Sequence, residues 1–323
     1  MAMVSVIIPT RNRLAFLKEA MASVSAQDYP NRETIVVDDA SEDGTWEWLS
    51  SLQDPRVRIF RLPHHAERSA ARNLGLSNAQ GEFVLFLDDD DLLAPGALSY
   101  LLKGARREPQ ALAVVGARIS FDDRGHWYRP PHPRWRVKRK VWTDVLFGYI
   151  PPQGQTLIRR GTLPAAGCWN EGWSVAEDYE LWMRLISKDS LLLFLPRTVR
   201  KMRIHPNQTP LVGRYRDCIN LRRDFVRRLP EDMQGLGGRI FRALRLYILA
   251  ARCLARCKYG KAIGYYLLAI GNAPRLLASL LTRSMLLGGL WRALAGLIFG
   301  KNFLIRAQKA KAFIRTSWMS VRA

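Results

Sequence analysis

Through the first two hundred positions, short apolar runs alternate with amphipathic stretches. Residues 4–8 (VSVII) form a continuous β-branched run closed by Pro9-Thr10-Arg11-Asn12-Arg13, which predicts a buried strand followed by a polar loop. Residues 14–25 then place Leu14, Leu17, Met21 and Val24 at helical spacing. Residues 33–37 (ETIVV) predict a second strand, ending in Asp38-Asp39-Ala40-Ser41-Glu42-Asp43-Gly44-Thr45, and a helix begins within residues 46–52. A third strand is expected at 57–62, a helix at 68–79 and a fourth strand at 81–87. Such alternation predicts an α/β fold with a mostly parallel central sheet and helices on both faces. In such sheets ligands bind at the carboxyl ends of the strands. The loops there carry Thr10 and Arg11, then Asp38 and Asp39, then Asp88, Asp89, Asp90 and Asp91.

The fourth loop carries the strongest chemistry. The apolar run FVLFL stops abruptly in four consecutive aspartates. Carboxylates crowded at the mouth of a buried strand repel one another and lose hydration, so the arrangement is costly unless positive charge sits among them. A divalent ion with oxygen ligands, Mg²⁺ or Mn²⁺, carrying phosphates, answers that need. A solvated acidic turn is the plainer reading of four aspartates taken alone.

Further strands are expected at 111–121, 155–159 and 191–195. Residues 125–142 are basic, aromatic and broken by proline; interleaved Arg and Trp suit nucleic acid, a sugar or a membrane surface, or simply a loop folded over the sheet. Glu177 and Asp178 precede the helical stripe Tyr179, Leu181, Trp182 and Leu185. Acids there serve the helix dipole or supply a general base to a pocket; spacing leaves both open. Arg203-Ile204-His205-Pro206-Asn207-Gln208 reads as a polar loop, and His205 in it is a weak ligand candidate.

Charge separates the two ends of the chain. Residues 201–323 hold 24 Lys and Arg against 4 acids, a surplus of 20 out of the whole chain's +22, and no acid follows Asp232. Residues 239–256, 262–270 and 276–299 mix apolar and basic positions at helical spacing. Basic amphipathic helices with aromatics fit an anionic membrane surface. A nucleic-acid face would not need so much leucine, and a self-packed helical subdomain is the plainer alternative. Four cysteines without a paired spacing predict a reducing compartment. The start, MAMVSVIIPT, does not read as a signal peptide, and no uncharged apolar run reaches membrane-spanning length.

Taken together, VSVIIPTRNR, ETIVVDDASEDGT, ERSAARNLGLSNAQGEFVLFLDDDD, EDYELWMRL and RIHPNQ, in that order, resemble the family 2 glycosyltransferases, inverting enzymes of GT-A fold that use nucleotide-sugar donors. The resemblance covers roughly residues 3–210. It implies a catalytic domain at 1–213; beyond it, the charge and helical pattern of 214–323 predict a basic, amphipathic, membrane-associating helical region. By the resemblance, Pro9, Thr10 and Arg11 wrap the nucleoside, Asp39 reads the base with Asp38 beside it, and Arg72 lies near the nucleotide. Asp90 is then the main metal ligand, Asp88 or Asp89 holds ribose or metal-bound water, and Asp178 is the catalytic base with Trp182 packed beneath. His205 is placed near donor phosphate or metal. Arg11 stands where many relatives carry an aromatic, which loosens the inference about the base. The implied partners are a nucleotide sugar, a UDP-sugar foremost, and a glycan or lipid-linked acceptor; the composition of the tail adds the anionic cytoplasmic face of a membrane, with no nucleic acid expected. A binding protein that kept the fold but lost turnover is the alternative. A nucleotidyltransferase would need a glycine-rich loop after the first strand, and PTRNR supplies none.

Overall fold

The computed structural model describes residues 2–122, 150–173, 176–187, 189–205, 215–255 and 258–272, with short pieces between 124 and 145. They divide into two compact units, Met1–Leu221 and Arg222–Ala323.

The first unit runs β1 (Val4–Thr10), α1 (Leu14–Ser25), β2 (Arg32–Asp38), α2 (Thr45–Ser50), β3 (Val57–Arg61), α3 (Glu67–Ser77), β4 (Phe83–Phe86), β5 (Leu92–Leu93), α4 (Ala97–Arg107), β6 (Ala113–Asp122), β7 (Trp127–Tyr128), β8 (Arg136–Lys138), β9 (Thr156–Arg159), α5 (Thr162–Ala165), α6 (Glu177–Leu185) and β10 (Leu192–Ile204). The strands form one sheet in the order β3-β2-β1-β4-β9-β6-β10-β5, with β7 on β6 and β8 on β10. The ladders joining β3, β2, β1 and β4 are parallel, as is the long β6–β10 ladder. β9 runs antiparallel between β4 and β6. β1 and β2 are buried along their whole length, which is why both read as unbroken apolar runs rather than as alternation.

Successive strand side chains point to opposite faces, and helices cover both. On one face Val4, Val6, Ile8, Val36, Leu85 and Leu87 pack with Leu17, Met21 and Val24 of α1 and with Leu98, Leu101 and Leu102 of α4. On the other face α3 comes so close that a Cβ on Gly75 would lie 2.5 Å from Ile7 Cγ2. Gly81 has the same constraint against the backbone of Ser5, at 2.6 Å. Because β2 and β4 flank β1 on opposite sides, the crevice at the carboxyl end of β1 lies where the chain changes direction across the sheet.

Beyond the short β5, β7, β8 and α5, which were not anticipated, two long elements differ from the sequence reading. α4 was not anticipated, although Leu98, Leu101, Leu102 and Ala105 recur at helical spacing and are buried. β10 does not stop at Leu195. It continues through Pro196 and Arg197, exposed at an irregularity in its ladder with β6, to Ile204. Arg203 and Ile204, expected in a loop, are therefore strand residues.

The rest is helical: α7 (Tyr215–Arg228), α8 (Glu231–Ala255) and α9 (Tyr259–Asn272). Within the second unit α8 and α9 pack through Ala250, Ala262, Tyr266 and Ala269, while Leu249, Leu267 and Leu268 are exposed. No described helix is long and apolar enough to cross a membrane. The helix expected at 276–299, most of the 125–142 segment and residues 206–208 lie outside the described residues.

Candidate active site

The loops after β1, β2, β3 and β4 are tied to one another. After β1, the Asn12 N–H donates to Ser41 Oγ at 3.0 Å, and Asn12 Oδ1 accepts the Glu42 N–H at 2.8 Å. Asp38 is fully buried, accepts the Ser41 N–H at 3.1 Å and lies 3.2 Å from Arg61 Nε. Asp39 accepts the Ala66 N–H at 2.7 Å and has His65 Nδ1 at 2.6 Å from its other oxygen. Arg11 is exposed. Asn12, Ala40, Glu67 and Ala176 hold φ between 51° and 71°. Non-glycine residues seldom adopt that left-handed conformation, and such strain gathers at functional sites. All four residues flank this edge.

The acidic run sits at the end of β4. Asp89 accepts the Thr10 hydroxyl at 2.9 Å and Arg13 Nη1 at 3.0 Å. The same Arg13 nitrogen reaches Asp90 at 2.9 Å, and His205 Nε2 lies 3.0 Å from the same Asp90 oxygen. Asp88 takes Arg72 on one oxygen at 2.9 Å and Arg200 on the other at 3.5 Å. Asp91, completely buried, pairs with Arg200 and accepts the Arg203 N–H at 3.0 Å. Part of the counter-charge that the sequence argument gave to a metal thus comes from the chain's own arginines. It relaxes the cluster only in part: burial would raise Asp88, but Arg72, Arg200 and Arg68 hold it below its ordinary value, whereas Asp89 and Asp91 stay raised. Burial pushes Asp89 up to about 6; Arg13 pulls it down and neighbouring Asp90 pushes it up again. Asp91 is raised to about 7, by burial first, against the pull of Arg200 and with the push of Asp88.

Arg72 joins this run to the start of α6. Its guanidinium is buried 4.5 Å over the Trp169 ring and bonds Asp88 at 2.9 Å and Glu177 Oε1 at 3.1 Å. Trp169 in turn meets Phe86 of β4 edge-on at 5.3 Å. The three acids in the first turn of α6 therefore do different things. Glu180 pairs with Arg184 one turn on, at 2.7 Å, an ordinary helix pair. Glu177 takes Arg72. Asp178, half-buried, accepts the Tyr179 N–H at 2.7 Å, and its pKa is raised, by burial first and by the charge of Glu177 second. Trp182 is fully buried in the same helix.

The structure thus brings Thr10, Asp88, Asp89, Asp90, Arg72 and His205 into one hydrogen-bonded cluster, with Glu177 as the link to Asp178. Asp38 and Asp39 stand at the neighbouring strand end, and Pro9 is buried within β1. Asp88, Asp90 and Asp91 each bring a carboxylate oxygen within 4.8 Å of the others. Asp91 is committed to Arg200 and the Arg203 amide, whereas the Asp88 side chain is 34% exposed. An all-oxygen set of this kind suits a hard divalent ion, with Asp88 and Asp90 as its reachable members.

Residues 5–163 match the family model described as glycosyl transferase family 2. The chain carries a family 2 glycosyltransferase domain. Over 108 residues it is 44% identical to the GalNAc(5)-diNAcBac-PP-undecaprenol beta-1,3-glucosyltransferase of Campylobacter jejuni, a match covering 32% of this chain and 35% of that protein. A glycosyltransferase of Rickettsia typhi is 28% identical over 211 residues, 64% of this chain and 65% of that one. The chain thus spans less than two thirds of either relative. The crystal structure of S. aureus TarS 1-349 in complex with UDP superposes with a TM-score of 0.63 over 93% of this chain and 92% of that one, at 18% identity. The glycosyltransferase domain therefore has the GT-A fold that its motifs implied.

Sequence reasoning missed Arg13, His65, Trp169, Arg200 and Arg203 in this domain. Arg13 had a visible signal, since it lies two positions beyond Arg11 in the same loop. Arg203 also had one, as the first residue of the RIHPNQ motif; Arg200 had none, 112 residues from Asp88 on a strand whose length was not read.

Proposed function

We propose that this chain is an inverting glycosyltransferase that moves a sugar from a nucleoside-diphosphate sugar, a UDP-sugar foremost, to a glycan or lipid-linked acceptor in surface polysaccharide synthesis. The observation that carries this reading is the joining of the acidic run to the Glu177-Asp178 pair through the buried Arg72.

In this reading Pro9, Thr10 and Arg11 border the nucleoside, and Asp39, supported by Asp38, reads the base. His65 and the Ala66 N–H fix the rotamer of Asp39. Asp88 and Asp90 would hold Mn²⁺ or Mg²⁺, which when bound supplies Lewis-acid stabilisation to the departing diphosphate. Asp89 stays locked by Thr10 and Arg13 and sets the turn of the run. His205 orients Asp90 from the open side. Asp178 takes the proton of the acceptor hydroxyl as that oxygen attacks the anomeric carbon. Its raised pKa suits a base working near neutral pH. One displacement with one base inverts the centre, so an α-linked donor gives a β-linked product. Arg72 keeps Glu177 from swinging into the space that the attacking hydroxyl needs. The acceptor in the name of the Campylobacter enzyme is undecaprenol-linked, and S. aureus TarS 1-349 crystallises in complex with UDP and with UDP-GlcNAc; both favour this substrate class.

The catalytic domain is assigned to residues 1–213. Residues 214–323 are assigned to peripheral attachment on the anionic cytoplasmic face of a membrane, supported by the basic surplus and by the exposed Leu249, Leu267 and Leu268.

The test is calorimetry and thermal shift with nucleoside diphosphates and nucleotide sugars, with and without Mn²⁺, on the wild type and Asp90→Ala. The expected outcome is a Mn²⁺-dependent response to UDP that is lost in the variant. Silence toward every nucleotide would overturn the reading.

A further inference from the structure

A stacked column of side chains leads away from the acidic run. Arg203 Nε donates to the Asp90 carbonyl at 3.3 Å. Its guanidinium is held between the rings of Phe16, at 4.8 Å, and Phe121, at 4.7 Å, and is anchored to Glu19 at 2.6 Å. Phe121 faces Trp127 across the β6–β7 pair, the rings stacked at 5.2 Å and 28°. Lys201 Nζ lies 5.7 Å from the Trp127 ring centre. Trp127 ends the column and is 50% exposed.

We infer that Trp127, with Lys201 beside it, is the acceptor platform of this enzyme and stacks on a pyranose ring of a glycan. The inference rests on the glycosyltransferase reading and deepens it. Three observations carry it. The first is position. Asp39 follows β2, while β6 and β7 lie beyond β4 on the opposite side of the acidic run. A transferase needs two subsites flanking its reacting centre, and the β2 side is already given to the nucleotide. The second is rigidity. An indole fixed by a stacked ring, itself fixed by a sandwiched arginine, loses little freedom when a ligand arrives. The third is chemistry. A flat apolar surface meets the C–H face of a sugar ring, and an ammonium with three donors meets its hydroxyls. The same column ties the platform to the Asp90 backbone.

The test uses the full chain, UDP and a panel of UDP-sugars as donors, Mn²⁺, and p-nitrophenyl glycosides as acceptors. Nucleotide release is followed with and without glycoside in wild type, Trp127→Ala and Trp127→Phe. UDP affinity is measured separately by calorimetry, and binding to vesicles containing anionic lipid by sedimentation. The expected result is a glycoside KM raised roughly tenfold or more in Trp127→Ala, about the worth of one good aromatic contact. Trp127→Phe should recover most of it. UDP affinity, glycoside-free hydrolysis and melting temperature should be unchanged in both variants. The inference is overturned by an unchanged KM, by a parallel fall in UDP affinity, by a loss of vesicle binding alone, or by a wild type that binds UDP yet gains nothing from any glycoside. A wild type indifferent to UDP sinks the donor reading first and the platform with it.

Discussion

The two edges of the sheet each bury a carboxylate beside arginine, with opposite results. At the amino edge Glu33 accepts the Ser5 hydroxyl at 2.6 Å, the Gln80 N–H at 2.7 Å and Arg58 at 3.1 Å. Burial alone would raise its pKa, but those donors outweigh it and hold the group below its ordinary value. At the carboxyl edge Asp89 and Asp91 also have arginine partners, yet both are raised, by burial first and then by the neighbouring acids. Arginine is present in both places; what differs is whether an acid's donors outweigh its burial, and at the carboxyl edge the neighbouring acids add to the burial they must overcome. The amino edge is finished as it stands, a structural joint. The carboxyl edge keeps an unmet need for positive charge, which is what a site for a metal and a diphosphate requires.

The comparison breaks most sharply at Asp178. Asp178→Asn should lower kcat by ~10²–10⁴-fold, the range for a lost general base, without loss of UDP affinity, as read by nucleotide release and calorimetry. The wild-type kcat should fall on the acid side with an apparent pKa above the usual aspartate range, since the base works only when ionised and its pKa is raised. Arg200→Met should come next, at ~3–5 kcal/mol of stability in denaturant unfolding, because it leaves the buried Asp91 among acids without its cation.

The pH dependence separates the edges by sign. Asp89 and Asp91 bind protons more tightly folded than unfolded, so their contribution is complete below the ordinary value of 3.8 and is lost as pH rises through about 6 and 7. Glu33 acts the other way, stabilising above 4.5 and fading as pH falls through its lowered pKa. Asp89→Asn should therefore flatten the loss of stability between pH 4.5 and 7.5 by an amount on the order of 2 kcal/mol. An unaltered pH slope would place the tension elsewhere. The smallest effect is expected at the amino edge. Ser5→Ala removes one of three donors to Glu33 and should cost about 1 kcal/mol, with turnover untouched.

Much of the fold was legible because β1, β2 and β4 are buried on both faces, and their residues read as plain apolar runs between polar loops. The acids were legible for the same reason: each sits where such a run ends. The arginines that answer them were not. Arg200 and Arg203 lie on β10, where Pro196 and Arg197 interrupt the apolar pattern and make the strand look finished. Helix α4 carried a readable stripe that the adjacent acidic run overshadowed. For the Glu177-Asp178 pair, spacing left a dipole role and a catalytic role level. What the structure adds is that Arg72, reaching from α3, bonds Glu177, a pairing that spacing could not carry.

The length of β10 has a mechanical meaning. Its first half pairs with β6 and β8, and its second half with β6 and β5, so Arg200 and Arg203 ride on one of the longest hydrogen-bonded bars in the domain. Their backbone cannot shift without unzipping that ladder. Amide hydrogens on both sides of Arg200 should then exchange with solvent on the timescale of global opening rather than of local breathing. The basic wall of the site is part of the chassis, and adjustment to an incoming donor falls to the loops that carry Asn12, Ala40 and Glu67.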